Sequence, residues 1–316
     1  MSYFLGVDGG QSSTTALIGD DSGRVLGLGR GGPCNHVGAA EGRSKFVNAI
    51  SGCLEEACKQ SGLSVGRVQF EAACLGFSGG PTDKQAILHE ILSTQQLAVT
   101  HDGLIALSGA TAGEPGIIVI AGTGSFAFGR NAEGRTARAG GWGFVFGDEG
   151  GGFDLTRQAL RASLRHEEGW GPPTRLRESL LAATEAKDAN DLLHRFYTSD
   201  YPRPKIAGFS KLVDKAAIAG DAVAQRLLTN AAQDLALFAN AVSGQLFSSA
   251  DVIKIAYVGG VFRSVMLLER FRGILELNEN VRVVAPAYGP TAGALIEAYR
   301  LAGLTCQLSE VPEIEK

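Results

Sequence analysis

The sequence lacks the features that mark secreted, membrane-bound or nucleic-acid-binding proteins. Its five cysteines are an odd number without CxxC or paired Cys/His spacing, so neither a disulfide framework nor a zinc site is indicated. No apolar run is long enough to span a membrane or to act as a secretory signal. No run of Lys/Arg forms a basic stripe, and the net charge is −4. We therefore expect a cytoplasmic protein whose partners are neither nucleic acids nor membranes.

Two common nucleotide-binding signatures are also missing, namely GxGxxG leading into a helix and GxxxxGK[ST]. A different pattern is present, in which an apolar strand, a Gly/Ser/Thr turn and two further strands follow one another. The first copy predicts strands at Tyr3–Val7, Thr14–Ile18 and Val25–Leu28. The second copy begins about a hundred residues later and predicts strands at Ile117–Ala121, Ser125–Phe128 and Thr136–Ala139. The chain therefore repeats one structural pattern with different residues.

Helical periodicity and further strand-like runs separate and follow the two copies. The main predicted helices are Gly38–Gln60, Gly103–Ala112, Phe153–Leu164, Asp221–Phe247 and Thr291–Leu301. Additional strands are predicted at Val68–Phe77, Leu97–Thr100, Val252–Val258 and Val281–Val284, and a loop at Trp170–Arg177. The simplest architecture that fits these elements is α/β, with two units that each begin with an antiparallel hairpin.

The two glycine turns suggest what the repeat is for. Backbone N–H groups in such a turn point into its mouth, and glycine lets the backbone approach an oxyanion closely. Neighbouring Ser and Thr hydroxyls donate further hydrogen bonds. A single Gly-Gly turn is weak evidence, but two of them in corresponding positions favour a polyphosphate ligand.

Several motifs resemble those of a known superfamily when they are taken in order. GVDGGQS at 6–12 resembles the first phosphate motif of the sugar-kinase, actin and heat-shock-chaperone superfamily, AGTGS at 121–125 its second, and VGGVF at 258–262 its adenosine motif. Within that superfamily, GGWG at 140–143 and GDEG at 147–150 resemble the N-acetylglucosamine kinases of the BadF/BadG/BcrA/BcrD ATPase group. PCNH at 33–36 and AGF at 207–209 also fall where that group has similar residues.

This resemblance implies two ribonuclease H-like (actin-like ATPase) domains with an inter-domain cleft. The expected boundaries are 1–113 for the N-terminal domain and 114–299 for the C-terminal domain, with a C-terminal helix at about 300–316 packing back on the first domain. The implied activity is ATP-dependent phosphorylation of an amino sugar, with N-acetylglucosamine and its 6-hydroxyl as the preferred acceptor. The implied partners are the sugar, ATP, Mg²⁺ and a second copy of the chain in a homodimer.

The resemblance also assigns roles to individual residues. Asp8 would hold Mg²⁺ through water, and Asp102 would act as the general base that accepts a proton from the sugar hydroxyl. ATP and its phosphates would contact Gly9, Gly10, Gln11, Ser12, Gly122, Thr123, Gly124, Ala207, Gly259 and Gly260. The sugar would contact Asn35, His36, Ser78, Asp102, Ser125, Gly140, Gly141 and Asp148.

Plain structural roles compete with some of these assignments. Asp8 would serve equally well as a turn-stabilising aspartate, and Asp102 as a helix cap. Trp142 fits the interior of a domain core. The run Asp148–Gly152 also has the composition of a helix N-terminus, where acidic side chains complement the helix dipole.

Other functions also stay open. Phe126 stands where vertebrate-type N-acetylglucosamine kinases have Asn, so glucosamine and N-acetylmuramic acid are alternative substrates. An ATPase that activates a dehydratase belongs to the same group, but it would need cysteines at a dimer interface to hold an iron–sulfur cluster. A Ser hydrolase is a further alternative, because Gly76–Gly80 satisfies GxSxG with Ser78 at its centre. Against this, 81–83 reads as loop where the hydrolase elbow needs a helix.

Overall fold

The structure is a computed structural model that describes residues 1–34, 42–78 and 84–315. The chain divides into two compact units. The first contains the residues up to Pro115 together with the chain from Ala285 onward, and the second is Gly116–Val284. No helix in the described part of the chain has both the length and the apolar character needed to cross a bilayer.

The first unit is built on a five-stranded mixed sheet. Its strands are β1 (Tyr3–Gly9), β2 (Thr14–Asp20), β3 (Val25–Gly31), β4 (Phe70–Phe77) and β5 (Thr94–His101). Their order is β3-β2-β1-β4-β5, with β1, β2 and β3 antiparallel and β1, β4 and β5 parallel. Gly9 pairs with Phe77, which pairs with His101, so three strands end side by side.

Helices cover both faces of this first sheet. They are α1 (Gly42–Gln60), α2 (Gln85–Ile91), α3 (Asp102–Ala110) and α11 (Pro290–Leu301). One apolar core contains Phe46 and Ile50 of α1, and a second core contains Leu295 and Tyr299 of α11. Cys53 and Cys58 both lie on α1, and four of the five cysteines are buried free thiols.

The second unit repeats the arrangement of the first. Its strands are β6 (Gly116–Ala121), β7 (Ser125–Arg130), β8 (Thr136–Gly140), β9 (Ile253–Val258) and β10 (Val281–Val284). The order β8-β7-β6-β9-β10 matches that of the first sheet strand for strand, including the antiparallel hairpins and the parallel pairs. The predicted repeat is therefore confirmed as a repeat of topology.

Most helices of the second unit lie between its third and fourth strands. They are α4 (Gly152–Glu167), α5 (Leu176–Thr184), α6 (Ala189–Phe196), α7 (Arg203–Gly208), α8 (Ser210–Ile218) and α9 (Ala222–Leu246), and α10 (Val265–Leu275) follows β9. The long helix α9 is capped by Asp221, whose carboxylate accepts hydrogen bonds from the amides of Val223 and Ala224. It supplies much of the core, including Leu228, Leu235 and Val242.

The structure differs from the sequence prediction in two places. The region predicted as loop at Trp170–Arg177 ends earlier, since α5 begins at Leu176, and helices α5 to α8 were not predicted. The expected second boundary at 299/300 falls instead between Val284 and Ala285. The reason is that the whole of α11 packs on the first sheet, where the backbone of Leu295 lies so close to Gly6 that a side chain at Gly6 would clash with it.

Candidate functional site

In the first unit, the candidate residues gather at the edge of the sheet where β1, β4 and β5 end. Asp8 is the second-last residue of β1, Ser78 follows β4, and Asp102 follows β5. Because these three strands are parallel and in register, their carboxyl ends meet at one edge. The amide of Ser78 donates to the carbonyl oxygen of Gly9 at 3.3 Å, which connects the end of β4 to the first glycine turn.

The first glycine turn joins β1 to β2. The amide of Gly10 donates to the carbonyl oxygen of Ser13 at 2.9 Å, and the carbonyl oxygen of Gly10 accepts from the amide of Cys34 at 3.0 Å. The amides of Gln11 and Ser12 donate no hydrogen bond within the described residues, and both side chains are exposed. The turn thus presents backbone donors and the Ser12 hydroxyl to an anion, while Gly10 closes the turn.

The carboxyl of Asp8 has the most strongly shifted pKa at this edge of the sheet. Burial raises the pKa of its carboxyl from 3.8 to about 7, and the nearby negative charges of Glu315 and Asp102 contribute to the rise. No group of three or more His, Cys, Asp or Glu side chains within the described ranges is arranged to hold a metal ion directly. A single carboxylate in a negative surrounding suits a hydrated Mg²⁺, which takes few protein ligands and keeps its waters.

Among the described residues, two donate hydrogen bonds to the carboxylate of Asp102. Its Oδ1 accepts from the amide of Gly103 at 2.9 Å, and its Oδ2 accepts from the hydroxyl of Ser78 at 2.9 Å. The residue that caps α3 is His101, whose Nδ1 accepts from the amide of Leu104 at 3.3 Å. The helix-cap alternative for Asp102 is therefore wrong, because the cap position belongs to its neighbour and Asp102 is the first helical residue.

Glu315 belongs to this edge but was not found from the sequence. Its buried carboxylate accepts hydrogen bonds from the amides of Thr291 and Ala292 and from the Thr291 hydroxyl, at 2.8–3.1 Å. These amides are the first donors of α11, so Glu315 caps that helix from outside it. Burial raises the pKa of Glu315, and the accepted hydrogen bonds act in the opposite direction. A glutamate in a polar C-terminal segment gives no sequence signal for this role.

In the second unit, the corresponding edge carries the second glycine turn. The carbonyl oxygens of Gly122 and Thr123 accept hydrogen bonds from the amides of Gly152 and Phe153 at 2.8 and 3.0 Å, so the start of α4 supports the turn from below. The amides of Thr123 and Gly124 donate no hydrogen bond within the part of the chain that the structure describes. As in the first unit, backbone donors are available to an anion.

A glycine-rich loop runs over this second turn between β8 and α4. Gly140 and Gly141 both have positive φ, and Gly141 donates to the carbonyl oxygen of Ser125 at 3.0 Å. Asp148 is buried and has a φ of 63°. Its carboxylate lies so close to Gly124 that any side chain at position 124 would clash with it. A non-glycine residue in this conformation costs roughly 1–3 kcal/mol, and such strain concentrates at functional sites.

The structure gives Ser125 a contact that the sequence did not suggest, and it places Trp142 differently from the core alternative. Ser125 is buried, and its hydroxyl donates to the carbonyl oxygen of Glu149, so it binds the loop and has only an acceptor left for a sugar. Trp142 is 69% exposed and stacks against Arg138, so the alternative that it belongs to the core is wrong. Phe126, the departure from the family pattern, packs beneath Gly141.

The adenosine motif follows β9 at the same edge of the second sheet. Gly259 has a φ of 116°, and a side chain there would clash with the carbonyl oxygen of Ala121, so only glycine fits. Gly260 begins a short 3₁₀ helix and lines a cavity of about 250 Å³. The carbonyl oxygen of Ala207 lies near the start of α4, beside that of Gly122, which places Ala207 close to the second turn.

Polar side chains line this cavity, and the sequence did not single them out. They are Ser210, Lys211, Asp214, Lys215, Arg263 and Ser264. The hydroxyl of Ser264 donates to Asp214 at 2.5 Å and also caps α10 by accepting from the amide of Leu267. Ser264 directly precedes an apolar helix, which is a capping signal that the sequence does contain. A cavity of mixed charge next to Gly260 suits a nucleoside.

Some predicted features cannot be compared with the structure. Asn35 and His36, the expected sugar contacts after Pro33, lie outside the described residues, as do the last two glycines of the GxSxG pattern. Of this pattern the structure describes Gly76, Phe77 and Ser78, and the hydroxyl of Ser78 donates to the carboxylate of Asp102.

The two matching sheets, each with a glycine turn at the same edge, form the two-domain fold of the actin-like ATPases. The chain belongs to the BadF/BadG/BcrA/BcrD ATPase family, which it matches over residues 5–298. It is 33% identical to the N-acetylmuramic acid/N-acetylglucosamine kinase of Clostridium acetobutylicum, over 94% of this chain and 98% of that protein. It is 27% identical to the N-acetyl-D-glucosamine kinase of Dictyostelium discoideum, over 93% and 97% of the two chains.

A solved structure is also similar to this chain over nearly its whole length. A Chromobacterium violaceum protein assigned as an N-acetylglucosamine kinase superposes with a TM-score of 0.72 at 27% identity. The match covers 96% of this chain and 99% of that one. The predicted fold class and family are therefore both confirmed.

Proposed function

We propose that this protein is an ATP-dependent kinase of amino sugars, with N-acetylglucosamine as substrate, its 6-hydroxyl as acceptor and Asp102 as general base. The observation that carries the proposal is the position of Asp102. It lies at the carboxyl edge of the first sheet, beside the glycine turn and close enough to Asp8 for its charge to raise the pKa of that residue. Kinase relatives that align over nearly the whole chain support the reaction class.

In this mechanism, residues of the chain bind and orient the two substrates, and one residue accepts a proton. Asp102 accepts the proton of the sugar hydroxyl as that oxygen attacks the γ-phosphorus of ATP, and the bond from this phosphorus to the bridging oxygen breaks so that ADP leaves. The free amides of the two glycine turns, with Ser12 and Thr123, donate to phosphate oxygens, and Gly259 and Gly260 leave room for the adenosine. Asp8 would hold Mg²⁺ through water, and the ion would neutralise charge on the phosphates.

The sugar contacts are part of the same proposal. Asp148 accepts hydrogen bonds from sugar hydroxyls, and the backbones of Gly140 and Gly141 shape the wall of the pocket. Asn35 and His36 contribute hydroxyl contacts. The homodimer expected from the resemblance and the cytoplasmic location expected from the composition belong to the proposal as well, and analytical ultracentrifugation measures the first directly.

N-acetylmuramic acid is a second candidate substrate. The Clostridium acetobutylicum relative carries both sugars in its name, and Phe126 puts an apolar side chain where the vertebrate-type kinases have an amide. A screen of N-acetylglucosamine, N-acetylmuramic acid, glucosamine and glucose with Mg-ATP, followed by ADP release, separates these substrates. A 6-deoxy analogue of the best sugar should give no turnover if the 6-hydroxyl is the acceptor.

The Asp102→Asn variant tests the mechanism. A general base typically contributes ~10²–10⁴-fold, so kcat should fall by that order while ATP and sugar binding change far less. Asp251→Asn, a conversion at an exposed aspartate of the second unit, is the matched control and should leave kcat unchanged. A kcat for Asp102→Asn within about threefold of wild type, far below a base contribution, removes Asp102 from the mechanism.

A further inference from the structure

The hydroxyl of Ser78 donates a 2.9 Å hydrogen bond to Oδ2 of Asp102. The two residues follow adjacent parallel strands, and the register pairs Phe77 with His101, so the next residue of each strand stands beside the other. Both are partly buried. The contact is therefore a product of sheet register and does not depend on a long or flexible side chain.

Ser78 is also fixed from its backbone. Its amide donates to the carbonyl oxygen of Gly9, which directly precedes Gly10 of the first glycine turn. One residue thus connects the carboxylate of Asp102 with the turn assigned to phosphate.

We propose that Ser78 is a positioning residue for Asp102 and contributes to phosphoryl transfer through that carboxylate, without contacting the sugar itself. This inference rests on the proposed function of Asp102. With Oδ1 bonded to the amide of Gly103 and Oδ2 to Ser78, the plane of the carboxylate is fixed. Each carboxylate oxygen has a second lone pair, so one of them can still accept the proton of a sugar hydroxyl.

Two other roles for Ser78 fit the contacts less well. A nucleophilic Ser78 would need Asp102 as its own base, and the proposed reaction already uses that carboxylate to accept the proton of the sugar hydroxyl. A direct sugar contact would use the same hydroxyl hydrogen, which Asp102 already takes. Only the acceptor lone pairs of Ser78 are left for another partner.

The test compares wild type, Ser78→Ala, Ser78→Thr, Asp102→Asn and the double variant with Ser78→Ala and Asp102→Asn. A hydrogen bond to a charged group is worth enough that Ser78→Ala should lower kcat roughly 10- to 100-fold. The KM values for sugar and ATP should stay within about twofold, since ground-state binding does not use this contact. Ser78→Thr keeps the hydroxyl and should recover most of kcat. The double variant should be no slower than Asp102→Asn alone.

Every other outcome overturns either the positioning role of Ser78 or the proposed role of Asp102 as the base. A raised sugar KM with unchanged kcat in Ser78→Ala overturns the inference in favour of a direct sugar contact. A double variant slower than Asp102→Asn by the full Ser78→Ala factor also overturns it. If Asp102→Asn keeps its kcat, the proposed base itself fails. If Asp102→Asn loses kcat and Ser78→Ala does not, the positioning inference fails alone. Melting temperatures and ATP binding of all variants exclude misfolding as the cause.

Discussion

The hydroxyl of Ser125 donates a 2.5 Å hydrogen bond to the carbonyl oxygen of Glu149, which ties the end of the second glycine turn to the loop that carries Asp148. The same residue accepts, through its own carbonyl oxygen, from the amide of Gly141. Ser125 therefore holds the glycine-rich loop at both of its ends. A loop fixed in this way presents Asp148 in one orientation.

Replacing Ser125 tests this connection. Ser125→Ala removes the bond to Glu149 and should raise the KM for the sugar several-fold, because a neutral hydrogen bond contributes about 0.5–1.5 kcal/mol. Ser163→Ala is the matched control, since Ser163 is equally buried and donates to a carbonyl oxygen within α4. A sugar KM that rises equally in both variants would show that general loosening of the unit is responsible.

Two adjacent glycines offer a second matched pair. Gly259→Ala should destabilise the protein, because the new side chain would overlap the carbonyl oxygen of Ala121 at a φ of 116°. Gly260→Ala meets no atom within 4 Å and should melt like wild type, but its methyl group enters the cavity assigned to the nucleoside and should raise the KM for ATP. Differential scanning fluorimetry with ATP kinetics measures both effects. Equal melting temperatures for the two variants would contradict the close approach of Gly259 and Ala121.

The perturbed carboxyl of Asp8 predicts how stability depends on pH. Between about pH 4 and pH 7 the native Asp8 keeps a proton that the unfolded chain has lost, so its contribution to stability falls as the pH rises through this window. Asp8→Asn removes the free-energy cost of ionising this buried carboxyl. In EDTA, this variant should melt above wild type at pH 8, and the difference should shrink toward pH 5. Asp21→Asn, at an exposed turn of the same unit, should shift the melting temperature equally at both values. A pH-independent difference for Asp8→Asn would refute the raised pKa.

The cap that Glu315 gives to α11 can be measured locally. Glu315→Ala leaves the first amides of the helix without their acceptor and should cost about 1–2 kcal/mol, as the loss of other helix caps does. Hydrogen exchange at Thr291 and Ala292 should become faster. Glu310 lies on the same C-terminal tail as Glu315 and forms an exposed ion pair with Arg24. Glu310→Ala removes this ion pair and should leave the exchange at Thr291 and Ala292 unchanged. Unaltered exchange in Glu315→Ala would mean that the tail does not cap the helix in solution.

Much of this architecture could be predicted from the sequence, because the information is local. Apolar runs that stop at glycine turns located both hairpins, and the family resemblance singled out Asp8 and Asp102. The bond between Ser78 and Asp102 could not be predicted, since it depends on the register of two strands whose connection includes a helix. Glu315 could not be predicted either, because its partners lie more than twenty residues away. Helices α5 to α8 are short, and the region around Pro172 and Pro173 that precedes them reads as loop.

The position of α11 also has a consequence for how the chain is made. Synthesis delivers the five strands of the first sheet early, but Leu295 and Tyr299, which cover Phe4 on one face of that sheet, come only near the end of the chain. The second unit is one continuous segment and has all its strands once Val284 has emerged. The ribosome therefore completes the second unit before the first, although domains generally fold in the order of synthesis. A nascent chain halted before Pro290 carries one finished unit and one open apolar face, which is the kind of surface that chaperones bind.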